Sequence, residues 1–224
     1  MKTNQIKFFI LLCFAFFILS NSYGFSYKKY HEFEIYRNAK KIGFHKLYFQ
    51  KTGNTIEVNT QIEMIVKLGF LTIFKYFHNS KEIWNQNKLI EVKTYTQKNR
   101  RKFEFSAKRQ GSKIQIESRK KIFFVSGDSL ITSYWNPNWL NKKELIDSQH
   151  GKKRFINVEK KEIENISTIF GNISAQRYKV TGSQDKPNGK KIDYDIWYDN
   201  KKRWVKTKFF IKNSLIEYFL VTKY

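Results

Sequence analysis

The chain has 224 residues, and its 43 Lys and Arg against 19 Asp and Glu give a formal net charge of +24. This length suits one sizeable domain, and the single cysteine, Cys13, excludes an internal disulfide framework and a cysteine-based metal site. The charge suits anionic partners such as acidic lipid headgroups, but the lysines are spread singly along the chain, as they are on solvated strand faces.

The first 24 residues have the three parts of a secretory signal. The positive residues Lys2 and Lys7 precede an unbroken apolar run at residues 8–19, and Ser22 and Gly24 are small residues at the two positions that a signal peptidase reads. We expect cleavage after Gly24, which leaves one β domain at residues 25–224 with a net charge of +22. An uncleaved anchor is the alternative, although the apolar run is shorter than the roughly 20 residues that span a bilayer. Export predicts the periplasm of a Gram-negative bacterium.

Segments of alternating polar and apolar residues, separated by turn residues, fill most of the remaining sequence. In the clearest segment, Ile56 and Val58 lie on one face and Glu57 and Asn59 on the other. Turn signals about 8 to 12 residues apart are typical of antiparallel sandwiches and barrels. We predict strands at residues 27–37, 42–51, 55–66, 68–84, 89–97, 102–109, 113–119, 153–160, 173–181, 190–198, 203–212 and 215–222, and a short apolar piece at 122–125.

Two segments depart from this alternation. Residues 68–77 are apolar almost throughout, and their aromatic and branched side chains favour a strand with a bulge or bend at Gly69. In residues 134–151, Asn136 before Pro137 is a good helix N-cap, and Gly151 is a plausible C-terminal cap. We therefore predict a short helix at residues 137–150.

Together the segments predict a single all-β domain. Its expected form is a strongly curved antiparallel sheet or incomplete barrel of about 11 strands, with one short helix at its opening. The two prolines, Pro137 and Pro187, both fall outside the predicted strands, as a continuous sheet requires. We expect the helix to pack against the concave face.

The sequence contains no motif for a metal, a cofactor or a catalytic nucleophile. No histidine spacing suits metal binding, and neither a nucleophile elbow nor a glycine-rich nucleotide loop is present. Export argues against a nucleic-acid partner. We therefore expect no metal, no cofactor, no nucleic acid and no enzymatic activity. The four histidines lie on separate predicted elements: His31, His45, His78 and His150.

Two groups of side chains remain as candidates for a site. Asp193 and Asp195 share one predicted strand face and could act with His150 as acid and base, although a solvated face beside lysines is the plainer interpretation. Bulky aromatics at the opening of a half-barrel could line a ligand cavity or fill its ends as core. The candidate ligand-binding residues are therefore Trp84, Trp135, Asn136, Trp139, Trp197 and Trp204.

A set of short motifs runs along the chain: Ile42-Gly43-x-His45, Glu82-x-Trp84, Tyr134-Trp135-Asn136-Pro137, Leu145 through Gln149-x-Gly151, Tyr178-x-Val180-x-Gly182, Trp197-Tyr198-Asp199 and Trp204-Val205. Through them the chain resembles a family of bacterial exported proteins of unknown function numbered 6134 (DUF6134). His150 stands where that family is expected to have a small polar residue such as Thr, which argues against catalysis by His150. The family's strand plan is similar to that of periplasmic lipoprotein carriers, whose concave apolar face holds acyl chains.

Three hypotheses for function follow. The first is an envelope protein that binds an apolar or amphipathic, lipid-like ligand in a cavity and contacts anionic membrane surfaces through its basic exterior. The second is an interaction or assembly scaffold with a filled core and an apolar patch near Trp135 and Trp139. The third is a hydrolase-like enzyme in which Asp193, Asp195 and His150 converge in one pocket.

Overall fold

A computed structural model of the chain describes residues 25–119 and 121–223. The predicted signal at residues 1–24 lies outside these ranges. One antiparallel sheet of 14 strands contains all the strands within them. They are β1 Tyr30–Arg37, β2 Lys40–Thr52, β3 Thr55–Leu68, β4 Leu71–Asn85, β5 Lys88–Lys98, β6 Arg101–Gln110, β7 Lys113–Ser118, β8 Lys121–Ser126, β9 Glu144–Ile146, β10 Lys153–Thr168, β11 Gly171–Gln184, β12 Lys191–Asp199, β13 Trp204–Ile211 and β14 Ser214–Leu220.

The strand order shows how the sheet is assembled. Strands β1 to β8 are successive neighbours, and so are β9 to β14. Pairing between β1 and β14 joins the two series, so that β8 and β9 are the edges of the sheet. Short turns between consecutive strands explain why the pairing is antiparallel throughout.

The sheet curls until its two halves face each other. The Oγ of Ser118 at the end of β7 donates a hydrogen bond to the carbonyl oxygen of His150, which follows β9, at 2.6 Å. The ring of Phe103 on β6 packs edge-on against the ring of His150, with centroids 4.5 Å apart. One face of each strand is thereby turned toward a shared interior, and the largest fully buried side chains include Trp84, Trp139, Trp204, Tyr198 and Phe33.

The two ends of the curled sheet differ. We call the end with the β1–β2, β3–β4, β5–β6, β7–β8, β9–β10, β11–β12 and β13–β14 turns the mouth end, and the opposite end, which includes residues 25–29, the closed end. At the closed end the rings of Phe25, Tyr27, Phe49 and Trp135 pack with centroids 4.8 to 6.5 Å apart. This aromatic packing fills the closed end.

The predicted fold class is confirmed, but the predicted helix at residues 137–150 is wrong in extent. Only Pro137–Asn141 is helical, as a 3₁₀ turn whose N-cap is Asn136, as expected: the Asn136 side chain accepts from the backbone N of Asn138 at 3.1 Å. Beyond this turn, Glu144–Ile146 pairs with β10 and satisfies its backbone groups in the sheet. Strands β8 and β9 are short pieces that bring the total to 14. No helix in the described ranges is long and apolar enough to cross a bilayer.

Residues 68–77 also differ from the prediction. The expected bend at Gly69 is a complete hairpin turn between β3 and β4, and the φ of Gly69 is +58°, in the left-handed region that favours glycine. A bulge is present as well: Val66 pairs with Phe74 and Lys67 with Thr72, so Ile73 of β4 is the extra residue. The apolar run therefore belongs to two strands.

Candidate functional site

The interior of the curled sheet contains a cavity of about 480 Å³. At the mouth end it is lined by exposed residues, including Lys98, Lys190 and Phe210, so the cavity is open there. Deeper in the molecule its wall comes from the inner faces of the strands and from residues 132–134 and 147–150. This volume is within the range of about 300 to 1,000 Å³ that is usual for small-molecule sites.

A larger groove of about 1070 Å³ crosses β2 to β7, but its lining is different. Solvent-exposed polar side chains such as Asn79, Lys81 and Glu104 form much of it. The inner cavity instead brings several buried ionisable groups together, which is typical of functional sites. We therefore take the inner cavity as the candidate site.

Two histidines reach this cavity from the inner face of the sheet. His45 on β2 lies opposite Ile62 on β3, and Ile62 lies opposite His78 on β4. Opposed residues share a face, so both imidazoles project into the interior. The Nδ1 of His78 is 2.8 Å from the Oγ1 of Thr96. Both ring nitrogens of His45 are buried without a hydrogen-bond partner, and the residue is 8% exposed.

Burial keeps the inner histidines neutral. It lowers the pKa of His31 to about 3 and that of His78 to about 4. It also lowers the pKa of His45 well below its ordinary value, and the neighbouring His78 and His31 add to this effect. A neutral imidazole has one donor and one acceptor nitrogen, so His45 offers a ligand one hydrogen bond of each kind.

Asp147, in the β9–β10 turn, is the centre of a polar cluster beside the histidines. Its buried carboxylate accepts hydrogen bonds from the backbone N of Gln149 and the Nε2 of Gln184, both at 2.8 Å, and lies 3.1 Å from the Nδ1 of His150. The Nη2 of Arg154 forms an ion pair with it, also at 3.1 Å. Burial raises the pKa of Asp147, but His150, the charge of Arg154 and the Gln149 N–H outweigh burial and lower it to about 2.

Arg154 has a further donor that no protein group uses. Its Nε is buried and has no hydrogen-bond partner, whereas its Nη2 is committed to Asp147. A buried N–H without a partner costs about 1 to 3 kcal/mol, which an acceptor on a ligand would relieve. The ion pair with Asp147 balances the guanidinium charge, so Arg154 suits a polar acceptor as well as an anion.

Apolar and aromatic side chains form much of the remaining wall. Burial raises the pKa of Tyr76, Tyr194 and Tyr218, so these phenols stay neutral and act as hydroxyl-bearing aromatic surface. The cavity therefore combines a polar cluster with an apolar wall. The wall includes Leu47, Ile62, Met64, Phe74, Tyr76, Ile192, Tyr194, Trp204, Phe209 and Tyr218.

Of the six residues predicted to bind a ligand, Trp204 lines the cavity, and its Nε1 donates to the Oγ1 of Thr207 at 2.8 Å. Trp84 and Trp135 lie toward the closed end, where their Nε1 atoms donate to the Oε2 of buried Glu82 at 2.8 and 3.1 Å. Burial raises the pKa of Glu82 against the lowering effect of its hydrogen bonds.

The other three lie away from the cavity. The Nε1 of Trp139 donates to the hydroxyl of Tyr198 at 2.9 Å in the core. The Nε1 of Trp197 donates to the Oε2 of Glu164 at 2.9 Å, and its ring lies under Arg177. Asn136 caps the 3₁₀ turn and borders, with Trp135, a space of only about 30 Å³ at the closed end.

Asp193 and Asp195, the carboxylates considered for acid and base chemistry, form ion pairs with basic side chains of β11. Asp193 pairs with Lys179 at 2.5 Å, and Asp195 pairs with Arg177 at 2.9 Å. Asp193 and His150 both border the cavity, whereas Asp195 does not, and His150 contacts Asp147. Among the described residues, no group of three or more His, Cys, Asp or Glu is arranged to hold a metal ion.

Sequence reasoning missed the residues that converge in the cavity: His45, His78, Asp147, Arg154 and Gln184. For His45 a signal was available. Counting back from the turn at Gly53 and Asn54 places His45 opposite Ile62, on the inner face of the β2–β3 hairpin. Asp147 lies in an irregular turn, where alternation predicts nothing.

Comparison with known proteins agrees with this architecture. A crystal structure of a β-barrel-like protein of domain of unknown function DUF1849 from Brucella abortus is similar, with a TM-score of 0.60 and 10% sequence identity. The match covers 88% of this chain and 98% of that one, and it supports the barrel-like fold. No curated protein matches the sequence. The profile of the domain of unknown function DUF6134 matches residues 33–221. The chain therefore belongs to the DUF6134 family, as its motifs predict.

Proposed function

We propose that this protein binds an amphipathic, lipid-like ligand in the central cavity without transforming it. The observation that carries the proposal is the cavity of about 480 Å³, in which an apolar wall meets two buried groups without protein partners, His45 and the Nε of Arg154. The predicted export would place this binding activity in the periplasm.

The cavity wall has an apolar part and a polar part, so it favours a ligand that has both an alkyl chain and a polar group. An alkyl chain gains about 0.8 kcal/mol for each CH₂ that it buries against apolar side chains. A polar group on the same molecule would satisfy His45 and Arg154, whose unmet hydrogen bonds otherwise oppose folding. A purely apolar molecule would leave those groups unsatisfied, and a small polar molecule would leave the apolar wall exposed to water.

The same features weigh against the two alternatives. A filled scaffold would have a solid interior and an apolar patch at Trp135 and Trp139, yet these side chains are 5% and 0% exposed. An acid and base pair would need free carboxylates near His150, whereas Asp193 and Asp195 pair with basic residues of β11. Ligand binding, by contrast, requires only the open cavity and the lining that the structure shows.

Mass spectrometry of organic extracts tests the proposal directly. Protein expressed with its predicted signal at residues 1–24 and purified without detergent should yield a lipid-like molecule in near-stoichiometric amount. A Met64→Trp variant should lose it, because Met64 lines the cavity and the larger ring fills that space. The matched control is Glu63→Trp, one residue along β3 and therefore on the outer face.

The polar half of the site has its own test. His45→Phe keeps a ring of similar size but removes both nitrogens, and it should weaken binding of a fluorescent fatty acid about tenfold. Equal binding by wild type, His45→Phe and Met64→Trp would place the fatty acid outside the cavity. Absence of any extracted molecule, together with no fatty-acid binding, would refute the proposal.

A further inference from the structure

The β3–β4 hairpin extends beyond the strands on both of its sides. Pairing between β2 and β3 ends at Gly43 and Met64, and pairing between β4 and β5 ends at Tyr76 and Lys98. Residues 65–75 therefore form a two-stranded arm at the mouth end, attached at its base by the backbone hydrogen bonds of Lys75 with Asn99. An isolated hairpin of this kind is marginally stable on its own, so the arm depends on its base or on something it contacts.

The tip of this arm is apolar and fully accessible. Each residue from 67 to 73 is exposed, and the four large apolar ones, Leu68, Phe70, Leu71 and Ile73, are between 50% and 104% exposed. On the other side of the cavity opening, Phe210 and Ile211 of β13 are 65% and 56% exposed. An apolar cluster of this size at one end of a protein is a typical contact surface.

The charges around the tip indicate what it contacts. No Asp or Glu lies between Glu63 and Glu82, whereas Lys67 and Lys75 flank the tip. The neighbouring β5–β6 turn adds further exposed positive charges at Lys98, Arg100, Arg101 and Lys102. Burial and the nearby Lys190 and Arg101 lower the pKa of Lys98, so these cations crowd one another at the mouth. An apolar tip ringed by cations complements the interface of a bilayer with anionic headgroups.

We propose that the arm at residues 65–75 docks the protein on an anionic lipid bilayer, with the mouth of the cavity facing the membrane. Leu68, Phe70, Leu71 and Ile73 enter the boundary between headgroups and acyl chains. Lys98 and Lys190 lie at the headgroup level. This docking requires no ligand in the cavity, so the docking proposal and the proposed ligand binding can be tested independently of each other.

Vesicle sedimentation tests the docking surface. The wild-type protein should bind vesicles in which about a third of the phosphatidylcholine is replaced by phosphatidylglycerol, and bind phosphatidylcholine alone much more weakly. Phe70→Ser with Leu71→Ser should reduce partitioning at least about tenfold, because both side chains lose burial in the bilayer. Thermal unfolding should confirm that this variant is folded.

The closed end supplies a matched control. Ile169 and Phe170 form the tip of the β10–β11 turn and are 72% and 47% exposed, so Ile169→Ser with Phe170→Ser removes similar apolar surface from the opposite end. This variant should bind vesicles as the wild type does. For charge, Lys98→Gln with Lys190→Gln should weaken binding roughly fivefold for each lysine, while Lys88→Gln with Lys201→Gln at the closed end should have much less effect.

Fluorescence adds a positional readout. A Phe70→Trp variant should show blue-shifted emission on anionic vesicles and quenching by lipids with brominated acyl chains, in excess of any change in the wild type. Equal binding to both vesicle types, or binding unaffected by the Phe70 and Leu71 substitutions, would overturn the proposal. A change from dimer to monomer in that variant, without a change in vesicle binding, would instead make the arm an interface between copies.

Discussion

The two ends of the curled sheet differ in packing and charge, although the same sheet forms both. At the closed end Trp84, Trp135 and Glu82 form a hydrogen-bonded cluster, and neutral turns such as Gly53-Asn54 predominate. At the mouth end, exposed lysines and arginines surround an open cavity, and apolar side chains at the tip of the arm face solvent.

This difference indicates how stability and function are distributed. Aromatic side chains at the closed end bury large areas and should contribute most of the folding free energy. The mouth end contains features that stability alone does not explain: an open cavity, crowded cations and an arm of exposed apolar residues. Substitutions at the closed end should therefore affect unfolding, and those at the mouth end should affect binding.

The largest expected effect comes from the filled part of the core. Trp139 is 0% exposed, and Trp139→Ala should lower the free energy of unfolding by about 3 to 5 kcal/mol because it leaves a cavity and a Tyr198 hydroxyl without its donor. Urea unfolding followed by circular dichroism measures this. A loss below about 1 kcal/mol would contradict the view that this region holds the fold together.

A smaller effect is expected at the polar cluster inside the cavity. Asp147→Asn keeps the shape of the side chain but removes the charge that balances Arg154, so unfolding should become easier by about 2 to 3 kcal/mol. Adding Arg154→Met should recover part of the loss, because no uncompensated charge then remains. Glu34→Gln, whose partner Lys41 is exposed, is the matched control and should cost less than about 1 kcal/mol.

The scaffold around these groups could be predicted from the sequence because strand alternation is local. Every predicted strand overlaps an observed one, and Asn136 caps the 3₁₀ turn as expected. The helix prediction failed at residues 144–146, where antiparallel pairing with the start of the next strand, β10, replaced helical hydrogen bonding. The Gly69 hairpin was missed because its turn lies inside a continuous apolar run.

The site was harder to predict because it depends on register. His45 can be placed by counting from the adjacent turn, but the β3–β4 hairpin has a bulge between Val66 and Lys67, and β4 and β5 have another between Ile83 and Trp84. When residues are paired by counting outward from a turn, each bulge shifts the pairing by one residue. His78 would therefore be assigned the wrong partners in both β3 and β5. The tryptophans attracted attention by their size, yet five of the six predicted positions lie outside the cavity.

The inner histidines give a pH test of the interior between the two ends. The ordinary pKa of His is 6.5, whereas burial lowers the values of His31 and His78 to about 3 and 4. Below pH 6.5 the unfolded chain therefore takes up protons that the folded chain does not, and stability falls as the pH falls toward 4. Each such histidine contributes roughly 1.4 kcal/mol per pH unit in this window.

His78→Asn isolates one of these contributions. The amide can retain a hydrogen bond to Thr96 but does not titrate. Unfolding of the variant below pH 6 should therefore take up about one proton fewer, and the plot of unfolding free energy against pH should be less steep by the corresponding amount. Asp147 does not contribute to the slope in this pH range, because its lowered pKa makes stability depend on pH only below about pH 3.8, the ordinary pKa of Asp. An unchanged slope between pH 6 and pH 4.5 would mean that His78 is already protonated in the folded protein.

The smallest effect on stability, paired with a large effect on binding, is expected at the tip of the arm. Phe70 is fully exposed, so Phe70→Ser should change the free energy of unfolding by no more than about 0.5 kcal/mol. Its loss should nevertheless weaken partitioning to anionic vesicles several-fold, because the ring is buried only in the docked state. If Phe70→Ser destabilised the protein as much as a core substitution, the arm would have to fold back against the barrel in solution. In that case Phe70 would contribute to stability, and the mouth end could no longer be distinguished from the closed end as the part of the molecule that serves binding alone.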